Sequence, residues 1–313
     1  VVTVVDNEDP AILGTPMDIT VIADLGTCSM PVSWDAPEFA DNCAIDTSTI
    51  THESGSQFLL GDTLVELATT DIHGNANTAS FVVTVLDQEL PEVVNLPENI
   101  VIENDLDSCG AFVSWIEPTS SDNCEVTSLV GDQVNGSVYP IGTTLVTYTV
   151  EDSSGNVNEA SFEILVEDLQ GPELFAMPDN VLQENDPGAC GALIDWTLPQ
   201  TSDNCPNQQL TSSHNPGDFF ATGLTTVSYT VTDASGNAQT LSFEINIVDL
   251  EVPVLINGPQ DILLEAEDGL CGSTVSWVEP TAEDNCTILD IKPSNYPGEF
   301  FEVGATLVSY TAI

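Results

Sequence analysis

Acidic and amide side chains recur along this chain at a spacing that could create repeated metal sites. The tripeptide Asp-Asn-Cys occurs four times, and successive copies are 81 residues apart. Its copies begin at Asp41, Asp122, Asp203 and Asp284. Other acidic motifs keep the same step: a linker Asp such as Asp87, an acidic loop such as Glu103-Asn104-Asp105, and a turn from Asp152 to Asn156. Carboxylate, amide and carbonyl oxygens are the ligands that Ca²⁺ prefers, so each repeat carries a candidate calcium site.

The candidate ligands fall into two groups. The linkers and acidic loops contribute Asp6, Asp24, Asp87, Glu89, Glu103, Asp105, Asp168, Glu184, Asp186, Asp249, Glu251, Glu265 and Glu267. The tripeptides and turns contribute Asp41, Asn42, Asp71, Asn75, Asp122, Asn123, Asp152, Asn156, Asp203, Asn204, Asp233, Asn237, Asp284 and Asn285. The alternative is that these residues only form turns. We favour that interpretation for the turn 152–156 alone, and calcium for the motifs together, because turn chemistry does not explain glutamates at a strand end.

The charge balance excludes several classes of partner. The chain has 51 acidic residues against one basic residue, Lys292, and a formal net charge of −50. Phosphate recognition needs Lys and Arg, so nucleic acid and anionic membrane surfaces are excluded as partners. No apolar run approaches the ~20 residues of a membrane-spanning helix. Two explanations of the charge stay open: a halophile's solvated acidic surface, and specific sites for divalent cations.

Eight cysteines occur as two per repeat, 15 residues apart. An even count at a repeated spacing is typical of disulfides and of an extracellular protein. We predict bonds within each repeat, namely Cys28–Cys43, Cys109–Cys124, Cys190–Cys205 and Cys271–Cys286. Zinc is the alternative, but of the three histidines, His52, His73 and His214, none recurs at one repeat position.

The elements that must position these residues are short strands. Between residues 90 and 170, β-branched and alternating runs predict about seven of them, and no stretch has helical periodicity. The predicted strands cover 93–94, 100–102, 111–115, 126–130, 137–139, 144–150 and 160–166. Trp115, which recurs in every repeat, is predicted to be a core residue. An all-β chain of tandem immunoglobulin-like β-sandwiches with an 81-residue period follows.

The order of the strands suggests where the acidic motifs meet. In a sandwich of seven alternating strands, the linker from the previous repeat, the Asp-Asn-Cys loop and the last hairpin lie at one pole. A disulfide between Cys109 and Cys124 would pull the loop Glu103–Asp105 toward the same place. We therefore expect all four motifs to gather at the junction between repeats.

Several motifs in order resemble the hyalin repeat, or HYR domain. They include a Cys…Val-x-Trp…Asp-Asn-Cys centre, Ile141-Gly142-Thr143-Thr144, and Asp152-Ser153-Ser154-Gly155-Asn156 with its copy Asp233-Ala234-Ser235-Gly236-Asn237. The resemblance covers essentially the whole chain. It implies an immunoglobulin-like fold, an extracellular location and a role in adhesion or surface structures. The acidic, lysine-poor form looks like bacterial surface adhesins and filaments.

The period sets the expected domains. Residues 1–8 are an orphan final strand, followed by repeats at 9–89, 90–170, 171–251 and 252–313, the last without its final strand. We expect a structural, non-enzymatic subunit of a calcium-stabilised filament or cell-surface stalk. Head-to-tail donation of the strand Val1, Val2, Thr3, Val4 and Val5 would join subunits as a homopolymer. The alternatives are a window of a longer array, an adhesin that binds a glycan or protein, and the stalk of a larger surface enzyme.

Overall fold

The computed structural model describes residues 1–313 of the chain. Its regular elements are β-strands, because short runs of β-branched residues alternate with polar ones between turn residues. The structure offers no helix with the length and apolar character needed to cross a bilayer. The all-β fold class predicted from the sequence is confirmed.

Each of the first three repeats forms eight strands. Repeat 1 has β1 Ala11–Leu13, β2 Ile19–Ile22, β3 Ser29–Val32, β4 Glu38–Ala40, β5 Ile45–Ile50, β6 Ser56–Leu59, β7 Gly61–Asp71 and β8 Ala76–Leu86. Repeat 2 has β9 Glu92–Val94, β10 Ile100–Glu103, β11 Gly110–Val113, β12 Thr119–Ser121, β13 Val126–Gly131, β14 Ser137–Pro140, β15 Gly142–Asp152 and β16 Val157–Glu167. Repeat 3 has β17 Glu173–Phe175, β18 Val181–Glu184, β19 Gly191–Leu193, β20 Gln200–Ser202, β21 Gln209–Ser212, β22 Phe219–Ala221, β23 Gly223–Thr232 and β24 Ala238–Val248.

The fourth repeat is shorter and has six strands. They are β25 Val254–Ile256, β26 Gly272–Thr274, β27 Thr281–Glu283, β28 Ile291–Pro293, β29 Phe300–Glu302 and β30 Tyr310–Ala312. The chain divides into two compact units, each with two repeats. One comprises Val1–Asp105 with Cys109–Asp168, and the other Leu106–Ser108 with Leu169–Ile313.

Every complete repeat packs a four-stranded sheet against two strand pairs. In repeat 2 the sheet has the order β10-β16-β15-β13, and the pairs are β9 with β12 and β11 with β14. The expectation of about seven strands missed one, β12. Its sequence, Thr119-Ser120-Ser121, has no apolar alternation, and it becomes a strand by pairing with β9.

One pairing in that sheet is parallel and decides where the cysteines lie. Strand β10 runs alongside the end of β16, with Glu103 opposite Glu167. Both strands therefore end at the pole where the chain leaves the repeat, which we call the trailing end. The opposite pole, which receives the linker, is the leading end.

The core lies between the two layers. Strand β15 buries every second residue, and Val146, Tyr148 and Val150 are 0–3% exposed. Trp115 packs against this core, with its ring centroid 5.4 Å from that of Phe162. Its indole Nε1 donates to the Tyr148 hydroxyl at 2.8 Å, so the polar edge of the ring is satisfied within the repeat.

Candidate functional site

The disulfides join neighbouring repeats. Cys28 of repeat 1 is bonded to Cys124 of repeat 2, and Cys190 of repeat 3 to Cys286 of repeat 4, with Cα separations of 5.4 and 4.8 Å. Cys109 and Cys205 are disulfide-bonded as well. The predicted bonds within each repeat, Cys28–Cys43, Cys109–Cys124, Cys190–Cys205 and Cys271–Cys286, are therefore wrong. The physical reason is that the first cysteine of a repeat follows the parallel strand to the trailing end, whereas Asp-Asn-Cys lies at the leading end.

Two recurrent hydrogen bonds accompany the joint, which is the contact between the trailing end of one repeat and the leading end of the next. The Asn of Asp-Asn-Cys donates to a backbone carbonyl in the turn before the first cysteine of the preceding repeat. The pairs are Asn123–Thr27 at 3.1 Å, Asn204–Ser108 at 3.0 Å and Asn285–Ala189 at 2.9 Å. A linker side chain accepts from an N–H of the same turn. The pairs are Glu89–Gly26 at 2.7 Å, Gln170–Asp107 at 2.9 Å and Glu251–Gly188 at 2.7 Å. The trailing turn therefore both accepts a hydrogen bond from the next repeat and donates one to it.

The leading end of repeat 2 brings three of the four acidic motifs together. Ligand atoms of Asp87, Asp122 and Cys124 all lie within 4.8 Å of one another. Ser154 of the last hairpin donates to Asp87 at 3.3 Å, and Asn156 donates to the Asp87 carbonyl at 3.3 Å. Asp87 is 9% exposed, although it is a carboxylate. Because Cys124 is in a disulfide, only oxygen atoms are left as ligands for a hard cation.

The same arrangement recurs at the leading end of repeat 1. Carboxylate oxygens of Asp6, Asp41 and Asp71 lie within 4.8 Å of one another. Partly buried like charges this close repel each other unless a cation or protons neutralise them. Both leading ends therefore have the chemistry of a divalent-cation site.

Buried oxygens without hydrogen bonds mark the Asp-Asn-Cys motif in all parts of the chain. One side-chain oxygen accepts no hydrogen bond in each of Asp41, Asp122, Asn123, Asn204 and Asn285. Such orphaned acceptors are uncommon in folded proteins, and each costs about 1–3 kcal/mol. Their recurrence at one motif fits oxygens that bind a cation.

The Asp at the start of the last hairpin braces its own turn. Asp152 accepts hydrogen bonds from the backbone of Ser154 and Asn156, at 2.9 and 2.8 Å, and from the Asn156 amide at 2.7 Å. Gly155, with φ of 85°, supplies the left-handed residue that the turn requires. Asp71 and Asp233 repeat this geometry with Asn75 and Asn237. These contacts are consistent with the interpretation that this motif, taken alone, forms a turn.

Hydrogen bonds also set the pKa of Asp71. Burial pushes the pKa of this carboxyl up, but the hydrogen bonds from Asn75 and from the backbone of His73 and Gly74 outweigh burial. The pKa of Asp71 therefore lies below its ordinary value of 3.8. The carboxylate stays charged beside Asp6 and Asp41 at neutral pH.

The acidic loop behaves differently from the expectation. Asp105, Asp186 and Glu267 accept backbone hydrogen bonds from Phe112, Leu193 and Thr274 at 2.9, 3.0 and 2.8 Å. Glu103 and Glu184 are exposed at the last positions of β10 and β18. The loop lies at the junction that follows its own repeat, so the prediction that it meets the linker, the tripeptide and the hairpin of its own repeat at one pole is wrong. The carboxylates of Asp105, Asp186 and Glu267 brace the following strand, and the acidic loop contributes no residue to either carboxylate cluster.

Cys43 and Cys271 are free and exposed. Cys43 lies beside Asp6 and His73, whose ligand atoms are within 4.8 Å of its sulfur. A hydrogen bond to Asp6, burial and the neighbouring carboxylates raise the pKa of the Cys43 thiol to about 11. The same hydrogen bond is the main cause that lowers the pKa of Asp6 below 3.8.

Sequence reasoning missed the residues that hold the trailing turn. Gln170 occupies the position of Glu89 and Glu251, and it accepts the same kind of hydrogen bond, but an amide broke the acidic pattern. The carbonyls of Thr27, Ser108 and Ala189 carry no sequence signal. One signal could have found the linker residues that accept these hydrogen bonds. Each lies two residues after the linker Asp, as Glu89 does after Asp87.

Comparison with known proteins supports the resemblance. The family model described as HYR domain matches residues 5–85, 86–166, 167–247 and 248–313. Hyalin of Lytechinus variegatus is 32% identical over 299 residues, which are 92% of this chain and 56% of that protein. Hyalin of Strongylocentrotus purpuratus is 33% identical over 323 residues, 99% of this chain and 27% of that protein. The chain thus spans about half the length, or less, of these relatives, and neither relative supports the bacterial attribution.

Two solved structures match the chain distantly. Protocadherin gammaB7 EC3-6 covers 97% of this chain and 99% of its own at 12% identity, with a TM-score of 0.29. Drosophila N-cadherin EC1-4 covers 78% of this chain and 76% of its own at 11% identity, with a TM-score of 0.30. Scores this low carry no inference about the site. The four family matches decide the question: the chain belongs to the HYR domain family, as an array of four such domains.

Proposed function

We propose that this chain is a structural region of an extracellular HYR protein, whose repeats are joined by disulfides and stabilised by calcium at each joint. The location is extracellular, since six of the eight cysteines are disulfide-bonded and such bonds persist in oxidising compartments. The observation that carries the proposal is the joint between repeats 1 and 2. There a disulfide, a buried Asp87 and the orphaned oxygens of Asp122 and Asn123 meet in one place.

Calcium suits this joint for reasons of charge and ligand type. Ca²⁺ accepts six to eight oxygen ligands in flexible geometry, and Asp87, Asp122 and Asn123 supply carboxylate and amide oxygens at the leading end. Its two positive charges would neutralise two carboxylates in a chain of net charge −50. Mg²⁺ demands stricter octahedral geometry and is a poorer fit.

Calorimetric titration tests this proposal. We expect the chain to bind calcium, and the Asp122→Asn substitution to weaken one site about tenfold or more. Glu163→Gln removes an exposed carboxylate in β16 and serves as the matched control, with unchanged binding. If the wild-type chain takes up no calcium, or if both variants bind as the wild type does, the joints are not calcium sites.

Head-to-tail strand addition is the second part of the proposal. Repeat 4 has a groove of about 530 Å³, and its mixed polar and apolar lining includes the apolar and aromatic side chains of Ile262, Leu264, Trp277, Phe301 and Tyr310. Val2 and Val4 are both 91% exposed, whereas Val83 and Val85, one period later, are 0–1% exposed in the core of repeat 1. The alternating valines of this strand fit the apolar side chains of the groove, and their positions follow the 81-residue period. Strand addition of this kind is a known mode of recognition between sheets.

An adhesin is the alternative function, and one observation favours it. Outward-facing apolar pairs lie across the same two strands in repeats 2 and 3. Phe112 faces Val138, and Leu193 faces Phe219, each 54–63% exposed. Under this alternative, beads coated with the chain would adhere to cells, and Phe112→Ser with Phe219→Ser would abolish adhesion. Under the structural proposal, this double variant leaves calcium binding and the disulfides unchanged.

A further inference from the structure

The two free cysteines occupy the two halves of the joint that the other repeats complete. Cys43 is the Asp-Asn-Cys cysteine of repeat 1, equivalent to Cys124 and Cys286. Cys271 follows the trailing turn of repeat 4, equivalent to Cys28 and Cys190. Between repeats 1 and 2, and between repeats 3 and 4, the cysteine of the trailing turn is bonded to the Asp-Asn-Cys cysteine of the next repeat.

The leading end of repeat 1 already has the geometry of a completed joint. Cys43 N–H donates to Asp41 at 2.9 Å, as Cys124 N–H does to Asp122 at 2.9 Å. Asn42 Nδ2 lies 3.4 Å from Asp6 Oδ1, and the corresponding distance from Asn123 to Asp87 is also 3.4 Å. The linker backbone agrees too, because the N–H of Glu8 and that of Glu89 each donate to the preceding Asp at 3.1 Å.

The trailing turn of repeat 4 has the matching geometry. Leu270 N–H donates to the Glu267 carbonyl at 2.9 Å, and Ala189 N–H donates to the Asp186 carbonyl at 2.9 Å in repeat 3. The completed joints use only backbone groups of this turn apart from the cysteine. A leucine can therefore stand where repeats 1 and 3 have Thr27 and Ala189.

We propose that the leading end of repeat 1 is a docking surface for the trailing turn Gly269–Cys271 of a second copy of this chain, closed by a disulfide between Cys43 and Cys271. Asn42 then donates to the Leu270 carbonyl, and Glu8 accepts from the Gly269 N–H. Because both surfaces are already formed, the contact needs little rearrangement.

The contact is heterologous, so it extends into an open chain of copies. Oxidised glutathione can serve as the oxidant for this bond. The thiols of Cys43 and Cys271 lose two protons and two electrons as their S–S bond forms, and the disulfide of glutathione takes these up to leave as two molecules of reduced glutathione. The inference goes beyond the proposed function, because it names a covalent contact and holds whether or not calcium binds.

Two single variants test the pairing directly. We expect the wild-type chain to form a disulfide-linked ladder in a glutathione redox buffer, and peptide mapping to find Cys43 bonded to Cys271. On non-reducing denaturing gels, Cys43→Ser and Cys271→Ser should each lose every disulfide-linked species above the monomer. Mixed together, the two variants should give a dimer and nothing larger, since each supplies one half of the joint.

Several results would overturn the proposal. They are disulfide dimers of either single variant by itself, a Cys43–Cys271 bond within one chain, and a Cys43 thiol that stays reduced because a metal holds it with Asp6 and His73. That last state would show as Cys43 alkylation that is blocked by zinc and restored by EDTA. Calcium titration of the same two variants reports separately on the proposed function.

Discussion

At the scale of single residues, Asp152 shows how an acidic side chain can hold a turn without any ligand. It is 2% exposed and accepts three hydrogen bonds within its own hairpin. Hydrogen bonds to a charged group contribute about 1.5–3 kcal/mol, and buried donors left unpaired add to the cost of losing them. We expect Asp152→Ala to lower the free energy of unfolding by about 3 kcal/mol in urea titrations. Glu163→Ala, which removes an exposed carboxylate from the adjacent strand, should change it by less than ~0.5 kcal/mol.

The lowered pKa of Asp71 predicts a pH dependence of stability. A carboxyl whose folded pKa is below its unfolded value contributes stability above the unfolded pKa and loses it as the pH falls through the folded pKa. The wild-type chain should therefore be more stable than Asp71→Asn at neutral pH, and the difference should shrink as the pH drops below 3.8. Urea unfolding of both proteins across this range measures it. A difference that grows on acidification would contradict the assigned hydrogen bonds.

The chemical class of the site residues was predictable, but the role of each residue was not. Spacing alone identified Asp87, Asp122 and Asn123, because a fixed period places equivalent side chains in equivalent surroundings. It could not separate them from Asp105 or Asp152, whose oxygens are taken by backbone N–H groups. Those hydrogen bonds depend on turn geometry, and the same Asp can either brace a turn or face a joint.

At the scale of elements, the long hairpin β15–β16 and its equivalents were predictable, since their alternation of apolar residues is continuous over many residues. The direction of β10 is the feature that decides the disulfides. It pairs parallel to β16 and takes Cys109 to the trailing end, away from Asp122-Asn123-Cys124. Repeat equivalence permits bonds within a repeat and bonds between successive repeats equally well. Only the topology distinguishes these two solutions.

Strand addition to repeat 4 gives a prediction at this scale. Val2→Asp with Val4→Asp places charges on the side that matches buried Val83 and Val85, so we expect the double variant to stay monomeric under reducing conditions. Val5→Asp is the matched control, because the equivalent Leu86 is 41% exposed. Sedimentation velocity measures the assembly. If the double variant assembles as the wild type does, the Val1–Val5 strand is not donated.

In the whole molecule, the joints supply stabilising cross-links that a single small repeat lacks. A small sandwich has a modest core, and a disulfide that spans 96 residues adds about 4–5 kcal/mol in the chain-entropy model. The net charge of −50 opposes compaction, and specific cations at the joints would offset it where carboxylates are closest. Disulfides between successive repeats suit a protein of the oxidising extracellular space.

Thermal unfolding with and without calcium separates specific calcium sites from general screening of charge. A ligand at a hundred times its Kd adds about 2.7 kcal/mol per site, so calcium should raise the Tm on the order of 10 °C, and EGTA should reverse the rise. Sodium chloride at equal ionic strength should not reproduce it, and Asp122→Asn should reduce it. An equal rise in sodium chloride, or no rise in calcium, would contradict calcium-stabilised joints.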